Sequence, residues 1–520
     1  MYNIICPYCF SEFTDEEVHF RSELVSEDKD NPIPDEYSDI EDFKSNFKGT
    51  DLEKQRILVE YDRWNFFRST KDEKYEKFWS KYYGGTTEFS PADDKLNIKA
   101  YNRRVIEPQN ANHQKYLIPQ GEDYFIRDQG MVSQIRLPGD VICHRRVCPY
   151  CHNPLPVNYG KSTVKFVTLI GITGAGKTVY LSQLLKGMNT YVPKVGMSAM
   201  VTTASARMFV EKNKVAAGEM LPGSTPVKSF QQPLFYDIIR NNPNNRHDHI
   251  TETFVLYDIA GEIFKDEYNQ DIPNFAKFIS KADGIILLID PYQFESVNTV
   301  NSKNVDNKVT PSFALKAIHG IIDGNTEKLC KTPVAVCVSK IDTQSVQEVL
   351  QYELRQLLVE PLNGIKGNDG YCKPIFKASS HNPIAMGLHE FIMEDDPDLS
   401  TTLHTNYLNY SYFAFTALGC NVTEETIEKN GEEIKVSTPE GPVLPKRIEE
   451  PLFWLFKNFG YITSDVRCFN TPIICPVCHT EEVFELPEDQ RTVKEKVGIF
   501  KTITRKVNYK CAKGHKWWQD

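Results

Sequence analysis

GITGAGKT (171–178) decides the reading of this chain. The octapeptide fits the phosphate-binding pattern G-x-x-x-x-G-K-[ST], and the spacing has a mechanical reason. Gly171, Gly174 and Gly176 let the backbone turn tightly and aim its N–H groups at phosphate oxygens, with Thr173 and Ala175 completing the loop. Lys177 is spaced to reach the outer phosphates, and Thr178 to ligate magnesium through its hydroxyl. Upstream, KFVTLIG (165–171) reads as a buried strand. Downstream, TVYLSQLLKGM (178–188) reads as a helix, with Val179 in the same cradle. The phosphates would lie at that helix's N-terminus, where unpaired N–H groups and the helix dipole favour an anion. The plainer alternative is a Gly-rich turn that holds nothing.

Three stretches further along extend the argument. TETFVLYDIAGE (251–262) is a strand running into Asp258, which is placed to hold magnesium through water, and into Gly261, whose N–H can sense a terminal phosphate. ADGIILLID (282–290) is a short apolar run between acids, suited to a central parallel strand. PVAVCVSKID (333–342) is another strand, ending in Ser339, Lys340 and Asp342. A carboxylate there accepts two hydrogen bonds from the N1–H and N2–H₂ edge of guanine. Adenine offers no such pair and would leave the carboxylate unpaired. The Lys340 stem can cover the base. An ATP-using protein in which SKID is coincidental is the alternative.

With these motifs in order, the chain resembles the Ras-like P-loop GTPases. The resemblance implies an α/β fold with a mostly parallel sheet, GTP or GDP with magnesium as cofactors, and five motifs. The first is GITGAGKT, the third DIAG (258–261), and the fourth SKID, where Ser339 departs from the usual Asn or Thr. The fifth is best placed in SYFAFTALG (411–419), at Thr416, Ala417 and Leu418, with FKASS (376–380) as the rival. The second needs a threonine in a loop; Thr225 in LPGSTPV (221–227) is the choice, with Thr202, Thr203 and Ser224 nearby. The residue after DIAG usually orients the attacking water and is commonly Gln. Here it is Glu262, whose charge faces an already anionic transition state, so intrinsic hydrolysis is expected to be slow. Lys177, Thr225 and Glu262 are thus the expected catalytic set. Arg207 is a candidate cation for the same step, against the plainer reading of an exposed helix residue.

The 13 cysteines are not scattered at random. Cys475-Pro-Val-Cys478 is followed by Cys511-x₃-His515, with the alternation of a β-hairpin between them (493–510). Two such knuckles supply four tetrahedral ligands, so a zinc ribbon is expected. Cys6-Pro-Tyr-Cys9 and Cys148-Pro-Tyr-Cys151 are identical and pair as a second ribbon carrying a long insertion. The alternatives are that each pair binds separately, with His19 or His144 and Cys143 as further ligands, or that the cysteines form disulfides. Four protein ligands leave no open position, so both metals are expected to be structural.

Composition bounds the rest. The expected organisation is a ribbon over 1–160 with its insertion at about 15–140, a GTPase domain over 162–465, and a ribbon over 468–520. A net charge of −10 argues against a general nucleic-acid coat. The start MYNIICPYCF lacks a signal peptide's pattern, and no apolar run reaches a membrane span, so a reduced, cytoplasmic protein is expected. Residues 23–42 hold nine Asp and Glu against one Lys and read as solvated. YDRWNFFRSTKDEKYEKFWSKYY (61–83) reads as a helix burying an aromatic face. RIEEPLFWLFKNFGYI (447–462) reads as a closing amphipathic helix with Trp454 in the core. A second insertion is expected at 360–405. Residues 491–520 carry nine Lys and Arg against two acids, with Trp517 and Trp518, so nucleic acid is one candidate partner there.

The CPYC ribbon, DIAGE, the late TALG and the PLFWLF helix together resemble the bacterial double-GTPase group, type two. That resemblance implies a role in multi-protein bacterial conflict or defence systems and a protein partner, either a second GTPase or a second copy. A regulatory GTPase is the leading reading. The alternative is a zinc-ribbon adaptor whose nucleotide site only holds shape.

Overall fold

A computed structural model describes residues 2–22, 24, 30–68, 70–80, 103–116, 124–137, 141–171, 174–222, 232–242, 245–264, 277–301, 309–324, 328–360, 364–368, 370–429, 432–470, 477–478, 483–497, 501–507 and 509–517. Its centre is a seven-stranded sheet: β1 (Val164–Gly171), β2 (Ser198–Val201), β3 (Leu234–Asn242), β4 (Asn245–Ala260), β5 (Gly284–Ile289), β6 (Val334–Val338) and β7 (Tyr410–Ala414). The spatial order is β2-β3-β4-β1-β5-β6-β7. Strands β4, β1, β5, β6 and β7 run parallel, while β2 and β3 join antiparallel through the β3–β4 hairpin.

The parallel strands are apolar on both faces because both faces are covered, and β5 (GIILLI) and β6 (VAVCV) are buried along their whole length. Side chains alternate between two cores. Phe166, Ile170, Tyr257, Ile285, Leu287 and Val336 face one core, with α3 (Pro311–Asp323), α4 (Ala378–Asp395) and the N-terminal module. Leu169, Leu256, Ile286, Leu288, Cys337 and Phe413 face the other, against α1 (Lys177–Tyr191) and α5 (Glu450–Asn458). A short helix, α2 (Ala204–Lys212), follows β2.

The N-terminal module is made of short β pieces: the hairpin Asn3–Ile5 with Glu12–Thr14, a sheet of Val105–Ile106, His19–Arg21 and Arg146–Val147, and a sheet of Phe125–Asp128, Met131–Leu137 and Val141–Cys143. At the C-terminus, Val483–Glu485, Tyr509–Cys511 and Lys516–Trp517 form a small sheet beside the hairpin Thr492–Val497 with Lys501–Lys506.

Three expected elements differ in extent. The single helix at 61–83 is two, Asp51–Phe66 and Glu73–Ser80. Phe67 ends the first, and Asp72 accepts the Tyr75 N–H where the second begins. Tyr75, Phe78 and Trp79 of the second are buried, as a small aromatic core requires. The stretch 360–405 is not an appendage: α4 lays Ile384, Leu388 and Ile392 into the main core, making it the layer that covers β7. The closing helix is shorter than 447–462, and Trp454 is fully buried within it. Among the described residues, no helix is long and apolar enough to cross a membrane.

Candidate nucleotide site and cysteine centres

The phosphate loop joins β1 to α1. Gly171 closes β1, where a Cβ would fall 2.8 Å from the Lys177 Cβ. Gly174 (φ +84°) and Gly176 (φ +71°) are left-handed, which a side chain resists. At Gly174 a Cβ would also fall 2.3 Å from Asp290 Oδ2. Thr173 lies outside the described residues, as does Ile172. Ala175 is buried, and Lys177, Thr178 and Val179 are nearly so on the first turn of α1. Parallel pairing sets Asp258 opposite Leu169, bringing the end of β4 beside the loop. There Lys177 Nζ lies 2.8 Å from Asp258 Oδ1, with both side chains buried. Each charge satisfies the other inside the protein, an arrangement that is stable only while both partners are present.

Gly261 begins a 3-10 turn, Gly261–Phe264, directly after β4, and the Glu262 backbone lies within it. The Glu262 side chain lies outside the described atoms, as do Thr225 and Ser224. Thr202 and Thr203 sit between β2 and α2. Arg207 is exposed on α2.

The base side forms at the ends of β6 and β7, which pair from Val334↔Tyr410 to Val338↔Ala414. Asp342 is exposed, and one of its oxygens accepts the Thr416 hydroxyl at 2.5 Å. The Thr416 hydroxyl also accepts the Gly419 N–H at 3.3 Å, which closes a turn over Ala417 and Leu418. The rival FKASS is engaged elsewhere: Phe376 pairs with Ser464, and the Ser379 hydroxyl donates to Asp465. Ser339 directly follows β6. It is buried, and both its N–H and its hydroxyl donate to the Ile289 carbonyl, so its donors brace β5 against β6. Lys340 takes a left-handed φ of 55°, and its ammonium lies 5.4 Å from the centre of the Tyr292 ring.

One residue of this site was missed as a site residue in the sequence. Asp290, at the end of β5, lies 3.3 and 3.4 Å from Lys340 Nζ through its two oxygens and sits directly under Gly174. It therefore links the base lysine to the phosphate loop. Its signal was its place at the carboxyl end of a central parallel strand, where α/β sheets bind ligands.

The two CPYC segments come together as near copies. Tyr8 N–H reaches Cys6 Sγ at 3.4 Å, and Tyr150 N–H reaches Cys148 Sγ at 3.4 Å. Phe10 and His152, each following its second cysteine, are both left-handed, at φ 57° and 53°, and both donate N–H to the carbonyl of the first cysteine. Cys6 Sγ lies 3.6 Å from Cys151 Sγ, and Cys9 Sγ 3.7 Å from Cys148 Sγ. Four thiols within 4.8 Å of one another, with backbone N–H groups turned toward sulfur, fit a tetrahedral zinc. His144 and Cys143 stand outside that cluster, and the Cys143 thiol bonds the Arg21 carbonyl. At the other end Cys478, Cys511 and His515 converge, with sulfurs 3.7 Å apart and His515 Nδ1 3.4 Å from Cys511 Sγ. Cys475 lies outside the described residues, as does Trp518.

Residues 165–366 match the family described as Double-GTPase 2. That match spans less than half of the chain, and over it the chain is similar to a double-GTPase domain. A curated protein of Mycolicibacterium smegmatis, SaeC, named for a proposed role in ESX-1 scaffolding and assembly, is 24% identical over 161 residues. The match covers 29% of this chain and 39% of that protein, well short of its full length. Among solved structures, Aquifex aeolicus Era bound to GDP and aluminium fluoride aligns at 14% identity and a TM-score of 0.21, covering 49% of this chain and 52% of Era. The G domain of the T. maritima FeoB iron transporter aligns at 16% identity and a TM-score of 0.17, covering 38% of this chain and 83% of that domain.

Proposed function

We propose, taking the double-GTPase domain as the premise, that this chain binds magnesium GTP, hydrolyses it slowly and acts as a regulatory switch. The observation that carries the reading is the exposed Asp342 carboxylate, held by Thr416, together with a glycine loop that ends in a buried Lys177–Asp258 pair. A polarised carboxylate at that point reads guanine, and the loop reads phosphate.

On nucleotide entry Lys177 exchanges Asp258 for the phosphates. Asp258, through water, and the Thr178 hydroxyl would hold the magnesium ion. Magnesium, when bound, offsets phosphate charge. Lys340 covers the base while Asp290 holds its ammonium. Gly261 and Thr225 sense the terminal phosphate from two loops, and Glu262 orients water at a rate limited by its own negative charge. A cation from a partner, a second GTPase or a second copy, would relieve that charge. The group resemblance supports a multi-protein setting, in conflict or defence systems, and the relative named for scaffolding and assembly supports a protein partner. The cysteine clusters support two structural zinc ions.

The test is equilibrium binding of a fluorescent GDP with magnesium, competed by GTP and by ATP. Displacement by GTP alone is expected. Equal displacement by ATP would replace the guanine reading with an ATP-using one, and no binding would leave a zinc-ribbon adaptor.

A further inference from the structure

Beside the N-terminal cysteine cluster, where His152 directly follows Cys151, the three-stranded sheet of the N-terminal module gathers a second donor set. His19 lies on its central strand, His19–Arg21. Glu107 follows the neighbouring strand Val105–Ile106, whose Ile106 pairs with Phe20. His152 follows the strand Arg146–Val147, whose Val147 pairs with His19. One ligand atom from each of the three residues lies within 4.8 Å of the others.

His19 Nδ1 and His152 Nε2 are 3.3 Å apart. A tetrahedral ion with metal–nitrogen bonds of 2.0–2.1 Å has a nitrogen–nitrogen edge of about 3.3 Å. His152 is oriented from behind. Its Nδ1 lies 2.8 Å from Asp72 Oδ1, and Asp72 is clamped by Arg21 at 2.6 Å. That carboxylate is therefore ionised and accepts the Nδ1 proton, leaving the Nε2 lone pair aimed at His19. A carboxylate behind a ligating imidazole is the usual support of a metal-binding histidine. Both histidines and Asp72 are at most 9% exposed, so these imidazoles and the Glu107 charge meet in a largely dry place. Glu107 has other partners: Lys74 Nζ is 3.7 Å from Oε1, and the Asn110 amide is 3.3 Å from Oε2. Lys74 is half exposed and also donates to the Pro149 carbonyl, so it can yield its place to a doubly charged ion.

We propose that His19, His152 and Glu107 form a further divalent metal site, of zinc type, with Asp72 as the positioning residue and water in the fourth position. It ties together the three strands that carry the ligands and the helix Glu73–Ser80, which Asp72 precedes.

Metal content of the purified full chain, measured by plasma mass spectrometry, tests this. His19→Ala and Glu107→Gln should each carry one zinc fewer per chain than wild type. Asp72→Asn should keep the ion but release it to a chelator at least tenfold faster. If folded variants, judged by circular dichroism, hold as much zinc as wild type, the proposal fails. Should the variants not fold, cobalt substitution of the wild type decides. A site without sulfur ligands adds d–d absorption without thiolate charge transfer, and a spectrum accounted for by thiolate sites alone overturns the proposal.

Discussion

Gly174 and Asp290 meet at the mouth of the phosphate loop, and the contact leaves no room for a side chain. Gly174→Ala would strain a backbone at φ +84° and place its Cβ 2.3 Å from Asp290 Oδ2. The strain alone costs about 1–3 kcal/mol. GDP affinity should fall at least tenfold in the competition assay, and unchanged affinity would mean that the loop does not hold the phosphates. Asp342 offers a sharper test. Replacing a carboxylate that accepts two hydrogen bonds by an amide removes about 1.5–3 kcal/mol per bond to a charged group. Asp342→Asn should weaken GTP by at least tenfold while improving xanthosine triphosphate. Unchanged GTP affinity would sink the assigned base contact. At this scale the sequence was informative where local spacing sets the backbone, as with the left-handed glycines Gly174 and Gly176. It was silent about Ser339, because which way a hydroxyl turns depends on the Ile289 carbonyl of a strand about fifty residues away.

Among the elements, α4 carries a pH signature. Its His381 is fully buried, its ring centre lies 4.5 Å from that of Phe413, and its Nε2 lies 2.9 Å from the Ser411 hydroxyl. Burial, with Arg447 adding to it, holds the imidazole down at about 3 against an ordinary 6.5. The native state therefore keeps it neutral while the unfolded chain protonates it below pH 6.5. Stability from this group is complete above 6.5 and is lost as pH falls toward 3, by about 1.4 kcal/mol per pH unit. Urea unfolding at pH 7 and pH 5 should show a steeper loss for wild type than for His381→Gln, and parallel losses would refute the assignment. Apolar periodicity located the strands β5 and β6 because both faces are buried. It did not reveal that 360–405 belongs to the main core, since a helix that covers a sheet and one that decorates it present similar apolar stripes.

At the scale of the molecule, the N-terminal knuckle rests on the nucleotide domain. The Tyr257 hydroxyl donates to the Pro7 carbonyl at 2.7 Å, one residue before Asp258. Phe10, held left-handed by the knuckle, packs its ring centre 5.3 Å from Phe166, 5.8 Å from Tyr257 and 5.2 Å from Phe278. The N-terminal module thus lends part of its core to β1 and β4. Cys148→Ser should lower the melting temperature of the nucleotide domain by several degrees, in one transition followed by GDP fluorescence. Two separate transitions, with the GDP-linked one unmoved, would show that the modules are independent.

The sequence by itself located the glycine loop, the apolar strands that follow it along the chain, and the kinship of the two CPYC knuckles. Each of these rests on local spacing: glycines where the backbone must turn left-handed, apolar runs where both faces are covered, and cysteines two residues apart. Only the tertiary structure decided that Thr416 rather than FKASS meets Asp342, that Asp290 joins Lys340 to the loop, and that His19, Glu107 and His152 share one place. Those pairings join residues tens to more than a hundred positions apart. Strand register and helix packing set which of them meet, and no local pattern records that.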